Sequence, residues 1–167
     1  PQLYESQIKP LFSAILDFTG KLDTAVEGLQ ERLAGEHAAA WQIVEIVKES
    51  QHLQKNMKLY LSDAASPACK DYLRLRSHVF KTLRLFRRID ALAAGEERTG
   101  LMEKLRIHTE TLETFRGRVM VKLRNHELNG WQTSSLLNDI NYARRIGRGI
   151  LEILTRREIN KAEDALL

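Results

Sequence analysis

Glu49 and His52 stand three residues apart in Glu49-Ser50-Gln51-His52, the spacing at which a helix offers a carboxylate and an imidazole to one metal ion. A di-iron or di-manganese bundle needs that motif twice, with a further glutamate on each of two other helices, so that the ligands converge in the core. None of His37, His78, His108 and His126 has an acidic residue three positions before it. The sequence therefore carries only part of such a site, and no metal or other cofactor is expected. Acid–base and nucleophilic chemistry fare no better. The histidines are scattered, Cys69 is the single cysteine, and neither a nucleophile elbow nor a phosphate-binding glycine loop is present. His108 falls on an otherwise apolar stripe and reads as a satisfied core or boundary histidine. Cys69 reads as a small buried residue in a chain without an internal disulfide framework. Catalysis is not expected.

Charge is the remaining chemistry. Residues 1–62 carry six Lys/Arg against eight Asp/Glu, a balance of −2, whereas residues 63–167 carry twenty against fourteen, a balance of +6. Lys70, Arg74, Arg76, Lys81, Arg84, Arg87 and Arg88 crowd one segment with a single acidic residue, Asp71, among them. Further on, Arg144, Arg145 and Arg148 surround Gly147 and Gly149. Arg84, Arg87, Arg88, Arg144, Arg145 and Arg148 are thus the candidate contacts for an anion or for anionic membrane headgroups. A nucleic acid is the weaker use of this charge: the surplus is small, and Tyr72, Phe80, Phe86 and Phe115 are placed on inward stripes rather than among the basic residues.

The elements that position these residues are all helical. No stretch alternates apolar and polar residues over a useful length, and there are three prolines in 167 residues. Five long helices are expected. The first spans about Gln2 to Ala34, with Ile8, Leu11, Ile15, Phe18, Leu22, Ala25, Leu29 and Leu33 spaced almost as a heptad; Pro10 sits in its first regular turn or bends it, and Gly35 caps its end. The second, Glu36 to Ser62, turns Ala40, Ile43, Val47, Leu53, Met57 and Tyr60 or Leu61 inward. Ser66 and Pro67 supply the cap and first position of the third, which runs to Ala94 and buries Tyr72, Leu73, Val79 or Phe80, Leu83, Phe86 and Ile89. The fourth, Thr99 to Leu128, places Leu101, Leu105, His108, Leu112, Phe115, Val119 and Leu123 on one side and stops at Asn129-Gly130.

The fifth begins near Trp131 and runs to about Lys161. Its stripe is Leu136, Leu137, Ile140, Ala143, Ile146 or Gly147, Ile150 and Leu154. Glycines inside a helix cost about 1 kcal/mol each relative to alanine, a cost that close helix contact or a ligand approaching the backbone would offset. Short links between long amphipathic helices make antiparallel neighbours, hence one antiparallel up-and-down bundle over residues 1–167. No apolar run approaches the ~18 residues of a membrane span, and the opening on Pro1 reads as a segment of a longer protein.

Two stretches resemble a known family. Val44 to Leu61, above all His52-Leu53-Gln54-Lys55-Asn56, resembles the second helix of the cytosolic C-terminal tail of bacterial sodium/phosphate cotransporters. Ser134-Ser135-Leu136-Leu137-Asn138-Asp139, with Tyr142 and Ile146, resembles the last helix of that tail, which is itself similar to the phosphate-uptake regulator PhoU. Arg144-Arg145-Ile146-Gly147 is similar to the Glu-Arg-Ile-Gly-Asp signature of PhoU-type helices. The acidic positions depart: Arg144 stands where the signature has glutamate and Arg148 where it has aspartate, so the family's metal clusters do not carry over, and Glu45 with Glu49 is a single carboxylate pair. The resemblance implies a non-catalytic, PhoU-like regulatory or structural domain at the cytoplasmic face of the bacterial inner membrane. Its implied partners are the transmembrane part of the same sodium-dependent phosphate transporter, a second copy, or an anionic membrane surface. The alternative is a stand-alone helical adaptor that binds a partner protein. Replacing Arg144, Arg145 and Arg148 by glutamine is expected to weaken association with anionic vesicles.

Overall fold

The computed structural model describes residues 3–22 and 29–164. They form an all-α bundle of five helices: α1 (Lys9–Thr19), α2 (Leu29–Leu61), α3 (Cys69–Asp90), α4 (Glu96–Arg124) and α5 (Gly130–Asp164). A π-helical turn, Tyr4–Ile8, leads into α1. Pro10 lies in the first turn of α1. It has no N–H to offer the carbonyl four residues back, and the wider turn before it absorbs that missing bond.

The boundary between the first two helices differs from expectation. α1 stops at Thr19, where the Gly20 N–H still donates to the Leu16 carbonyl at 2.9 Å. Gly35, expected as a cap, is buried inside α2, its Cα facing the Arg156 side chain of α5. The glycine marks a close helix crossing and not an end. Ala25 of the proposed heptad lies outside the described residues. Leu11, Ile15 and Phe18, the heptad's centre, are exposed; α1 instead lays Phe12 on Trp41, ring centroids 5.8 Å apart.

α3 lacks its expected cap: Ala68 precedes it with no side-chain bond, and Ser66 and Pro67 stand ahead of the helix. α3 begins at Cys69, two residues past Pro67, after a turn in which the Cys69 N–H donates to the Ser66 carbonyl at 3.0 Å. It ends at Asp90 rather than Ala94, and α4 starts at Glu96 rather than Thr99, with Gly95 as its cap at φ 155°. α4 closes with the left-handed His126 (φ 59°). There the Glu127 N–H reaches the Lys122 carbonyl at 2.9 Å and the His126 N–H the Leu123 carbonyl at 3.1 Å, the paired bonds of a Schellman end. Asn129 does not stop α4; it opens α5. Its Oδ1 accepts the Gln132 N–H at 2.8 Å while Gln132 Oε1 accepts the Asn129 N–H at 3.2 Å, a reciprocal capping box worth about 1 kcal/mol.

α5 is the spine. It runs antiparallel to α2, as the Asn160–Glu36 (2.6 Å) and Asn56–Asp139 (3.1 Å) bonds show, and antiparallel to α4 through Arg98–Glu158 (2.7 Å) and Arg144–Glu113 (2.9 Å). It is parallel to α3, with Tyr72–Asp139 at 2.7 Å and Arg157–Asp90 at 2.7 Å. Leu136, Ile140, Ala143, Ile146, Ile150 and Leu154 are all buried, as its periodicity predicts. Gly147 and Gly149 are buried too, against Thr109 of α4 and Gln42 of α2. Close packing on two sides offsets their cost, and no ligand need be invoked.

α3 departs most from its expected face. Buried are Asp71, Tyr72, Leu75, Thr82, Leu85 and Ile89, whereas Leu73 (42%), Phe80 (63%) and Leu83 (45%) are exposed. The helix carries two apolar stripes, and only one meets the core. A smaller rotation affects α2, where Val44 is buried and Ile43 exposed.

Candidate functional site

The six candidate arginines divide into two groups. On α5 each is answered by a carboxylate of a neighbouring helix. Arg144 binds Glu113 at 2.9 Å and Arg148 binds Glu110 at 3.0 Å, both across to α4. Arg145 lies between Glu49 (2.6 Å) and Glu45 (3.7 Å) of α2. These are mostly solvent-facing pairs, each worth about 0–1 kcal/mol, and they orient helices more than they bind anything. Glu49 is the exception. It is buried, its contact with Arg145 is close but not aligned as a hydrogen bond, and burial holds its carboxyl above the usual range against the pull of Arg145.

Arg84, Arg87 and Arg88 lie on the exposed face of α3, opposite its buried residues. No ion pair engages them among the described residues. The candidate charges of α5 are turned to Glu110, Glu113, Glu45 and Glu49, and Lys122 of α4 to buried Asp71 at 2.6 Å. What remains is a basic α3 face interleaved with Leu73, Phe80 and Leu83.

The interior holds polar groups whose partners only the fold reveals. Asp139 is 0% exposed and accepts from Tyr72 Oη at 2.7 Å and Asn56 Nδ2 at 3.1 Å. Burial raises its carboxyl above the ordinary range, opposed by those two bonds and by nearby His52. Tyr72, also raised by burial, stacks on Tyr60 at 4.5 Å. Asp139 was legible as a carboxylate on a buried stripe, three residues after Leu136 and four before Ala143; its donors were not. Arg98 is likewise buried: it pairs with Glu158 at 2.7 Å and caps the end of α3 by donating to the Ile89 and Leu92 carbonyls, where a cation also meets the negative end of the helix dipole.

The histidines do not converge on a metal. Glu49 faces Arg145, while His52, exposed, stacks on Tyr142 at 5.3 Å. Among the described residues no group of three or more His, Cys, Asp or Glu side chains is placed to hold an ion. Cys69 is buried and free.

His78 and His108 stack face to face between α3 and α4, centroids 3.8 Å apart, and His108 Nε2–H donates to the His78 carbonyl at 3.1 Å. Burial, then His108 and Lys81, push His78 down to about 4 from 6.5, and burial lowers His108 as well. The unfolded chain takes up the His78 proton first on acidification. Its contribution is thus fully present above pH 6.5 and is lost as the pH falls toward about 4, by roughly 2 kcal/mol after allowing for partial exposure. Glu49 and Asp139, with raised carboxyls, tilt the other way. His78→Phe isolates the effect. Its urea midpoint is expected to lose less than wild type between neutral pH and pH 4.5; parallel losses would refute it.

Among the described residues no helix is long and apolar enough to cross a membrane. Comparison with known proteins returns no matching family model, no matching curated relative and no matching solved structure.

Proposed function

We propose that this chain is the non-catalytic, PhoU-like regulatory or structural domain of a sodium-dependent phosphate transporter, held at the cytoplasmic face of the bacterial inner membrane and acting through contacts. The carrying observation is the apolar arm formed by the π-helical turn and α1. Leu3, Leu11, Ile15, Leu16 and Phe18 are exposed, and the arm buries no residue. Its apolar arc is broader than α2 can cover, and a surplus of this kind belongs against another apolar body. The transmembrane part of the same protein, or the arm of a second copy, is such a body. The two stretches that resemble the transporter tail also support the reading. They meet in the fold, through Asn56 on Asp139 and His52 on Tyr142. Contact with anionic headgroups falls to Arg84, Arg87 and Arg88, because the α5 arginines already face carboxylates.

The test uses the whole reading frame that encodes this chain. Vesicles carrying it are expected to take up phosphate in a sodium-dependent manner. Serine at Leu11, Ile15 and Phe18 should change that uptake severalfold while the protein level in the membrane holds. A reading frame with no membrane span joined to this segment would leave the stand-alone adaptor instead. A transporter indifferent to the arm would overturn the reading that the domain acts through it.

A further inference from the structure

α2 and α3 meet at the Tyr60–Tyr72 stack. Further along, they line an open groove of about 430 Å³, with Leu53, Met57 and Leu61 on one wall and Val79 and Leu83 on the other. Its floor is apolar: Leu53 is 3% exposed, while Leu83 at the rim is 45% exposed. Phe80, 63% exposed, extends the apolar strip along α3. Charge surrounds this strip on both walls. Lys58 lines the α2 side. On α3, Arg76 precedes Val79 by three residues and Arg87 follows Leu83 by four, which places both on the same stripe, one turn beyond each end of the apolar pair. Arg84 stands beside them. All four cations are exposed, and none has an ion-pair partner among the described residues.

We propose that this groove is a docking site for an acidic amphipathic helix. The proposal does not depend on the transporter reading, although it draws on Arg84 and Arg87, two of the arginines which that reading turns to anionic headgroups. A helix laid in the groove would set two or three apolar side chains, spaced i, i+3/i+4 and i+7, on Leu53, Met57, Val79 and Leu83. Its Asp or Glu residues would then fall opposite Lys58, Arg76 and Arg87, and these contacts steer the approach and fix the register. The chemistry also selects against other occupants. The same groove of a second copy would bring arginine against arginine. A basic helix would meet four unpaired cations.

The test is fluorescence anisotropy with a labelled ~18-residue helical peptide, about 27 Å long, that carries leucines at the three anchor positions and glutamates beside them. Its glutamate-to-lysine counterpart is the control. The acidic probe is expected to bind saturably and to weaken with salt, and the lysine probe to bind about tenfold or more weakly. Leu83→Glu should abolish binding. Arg76→Glu with Arg87→Glu should reverse the preference, gaining the lysine probe as it loses the acidic one. All three positions are solvent-facing, so the variants should keep the wild-type helical signal and melting midpoint. Equal binding of the two probes would overturn the proposal, as would an acidic preference that survives charge reversal. So would a surface that ignores the acidic probe but binds phosphatidylserine vesicles, or self-associates, in a manner lost with Leu83→Glu.

Discussion

Gly147→Val is expected to destabilise the bundle by about 3 kcal/mol, and Gly147→Ala by about 1–2 kcal/mol, although alanine is the better helix former. A Cβ at this position would stand 2.6 Å from Thr109 Oγ1, 2.9 Å from its Cγ2 and 3.3 Å from its Cβ. Thr109 cannot give way. It is 1% exposed, its hydroxyl donates to the Leu105 carbonyl at 2.9 Å, and a β-branched side chain in a helix has few rotamers to escape to. The gain of about 1 kcal/mol that alanine brings to a helix interior is smaller than the overpacking cost.

Three other glycines serve as controls. A Cβ on Gly149 meets the Gln42 side chain from its amide nitrogen back to Cγ, with Cδ at 3.0 Å and Cγ at 3.1 Å; that unbranched chain can swing aside where Thr109 cannot, so Gly149→Ala should be near neutral. Gly100 and Gly117 on α4 have nothing within 4 Å of such a Cβ, and alanine there should add about 0.5–1 kcal/mol each. Thr109→Ala should recover part of the Gly147→Ala loss. Urea midpoints that rank Gly147→Ala with Gly149→Ala would refute the account.

That contrast also marks how far the sequence could be read. The stripe from Leu136 to Leu154 and the glycines within it were legible because one helix writes its own periodicity. The bundle class followed from the same signal in α4 and α5. Legibility failed where a helix held more apolar residues than one face can bury. On α3, Leu73, Phe80 and Leu83 repeat at helical spacing as convincingly as Tyr72, Leu75 and Ile89, and only the position of α4 and α5 decides which set goes inward. It failed again at Gly35, where the residue type fits either a cap or a close crossing and the deciding neighbour, Arg156, lies far along the chain. The arginines of α5 were found by type and spacing, yet their neutralisation depends on Glu49, Glu110 and Glu113 on other helices. No local spacing announces a partner of that kind, and their number on α5 alone overstated the available charge.

Asp139 is the second position at which a large effect is expected, and it separates a hydrogen-bonding role from a charge role. Asp139→Ala would leave the Tyr72 hydroxyl, on a residue 0% exposed, and the Asn56 amide without their acceptor. It should cost about 3 kcal/mol. Asp139→Asn keeps the shape. The new amide oxygen accepts from Tyr72, and Asn56 turns its own amide to offer a carbonyl to the new NH2, so the network closes without a charge.

The pH dependence has a definite sign. With its carboxyl raised above 3.8 by burial, wild type has this group's full contribution below that value and loses it as the pH rises through the raised one. The amide variant has no such loss. Asp139→Asn should therefore gain on wild type as the pH climbs from 3.8, and hold a constant margin once Asp139 is ionised. Unfolding profiles of the two proteins measure that margin directly. An amide variant as damaged at neutral pH as the alanine one would mean that the negative charge itself ties α2 and α3 to α5, rather than the two hydrogen bonds it accepts.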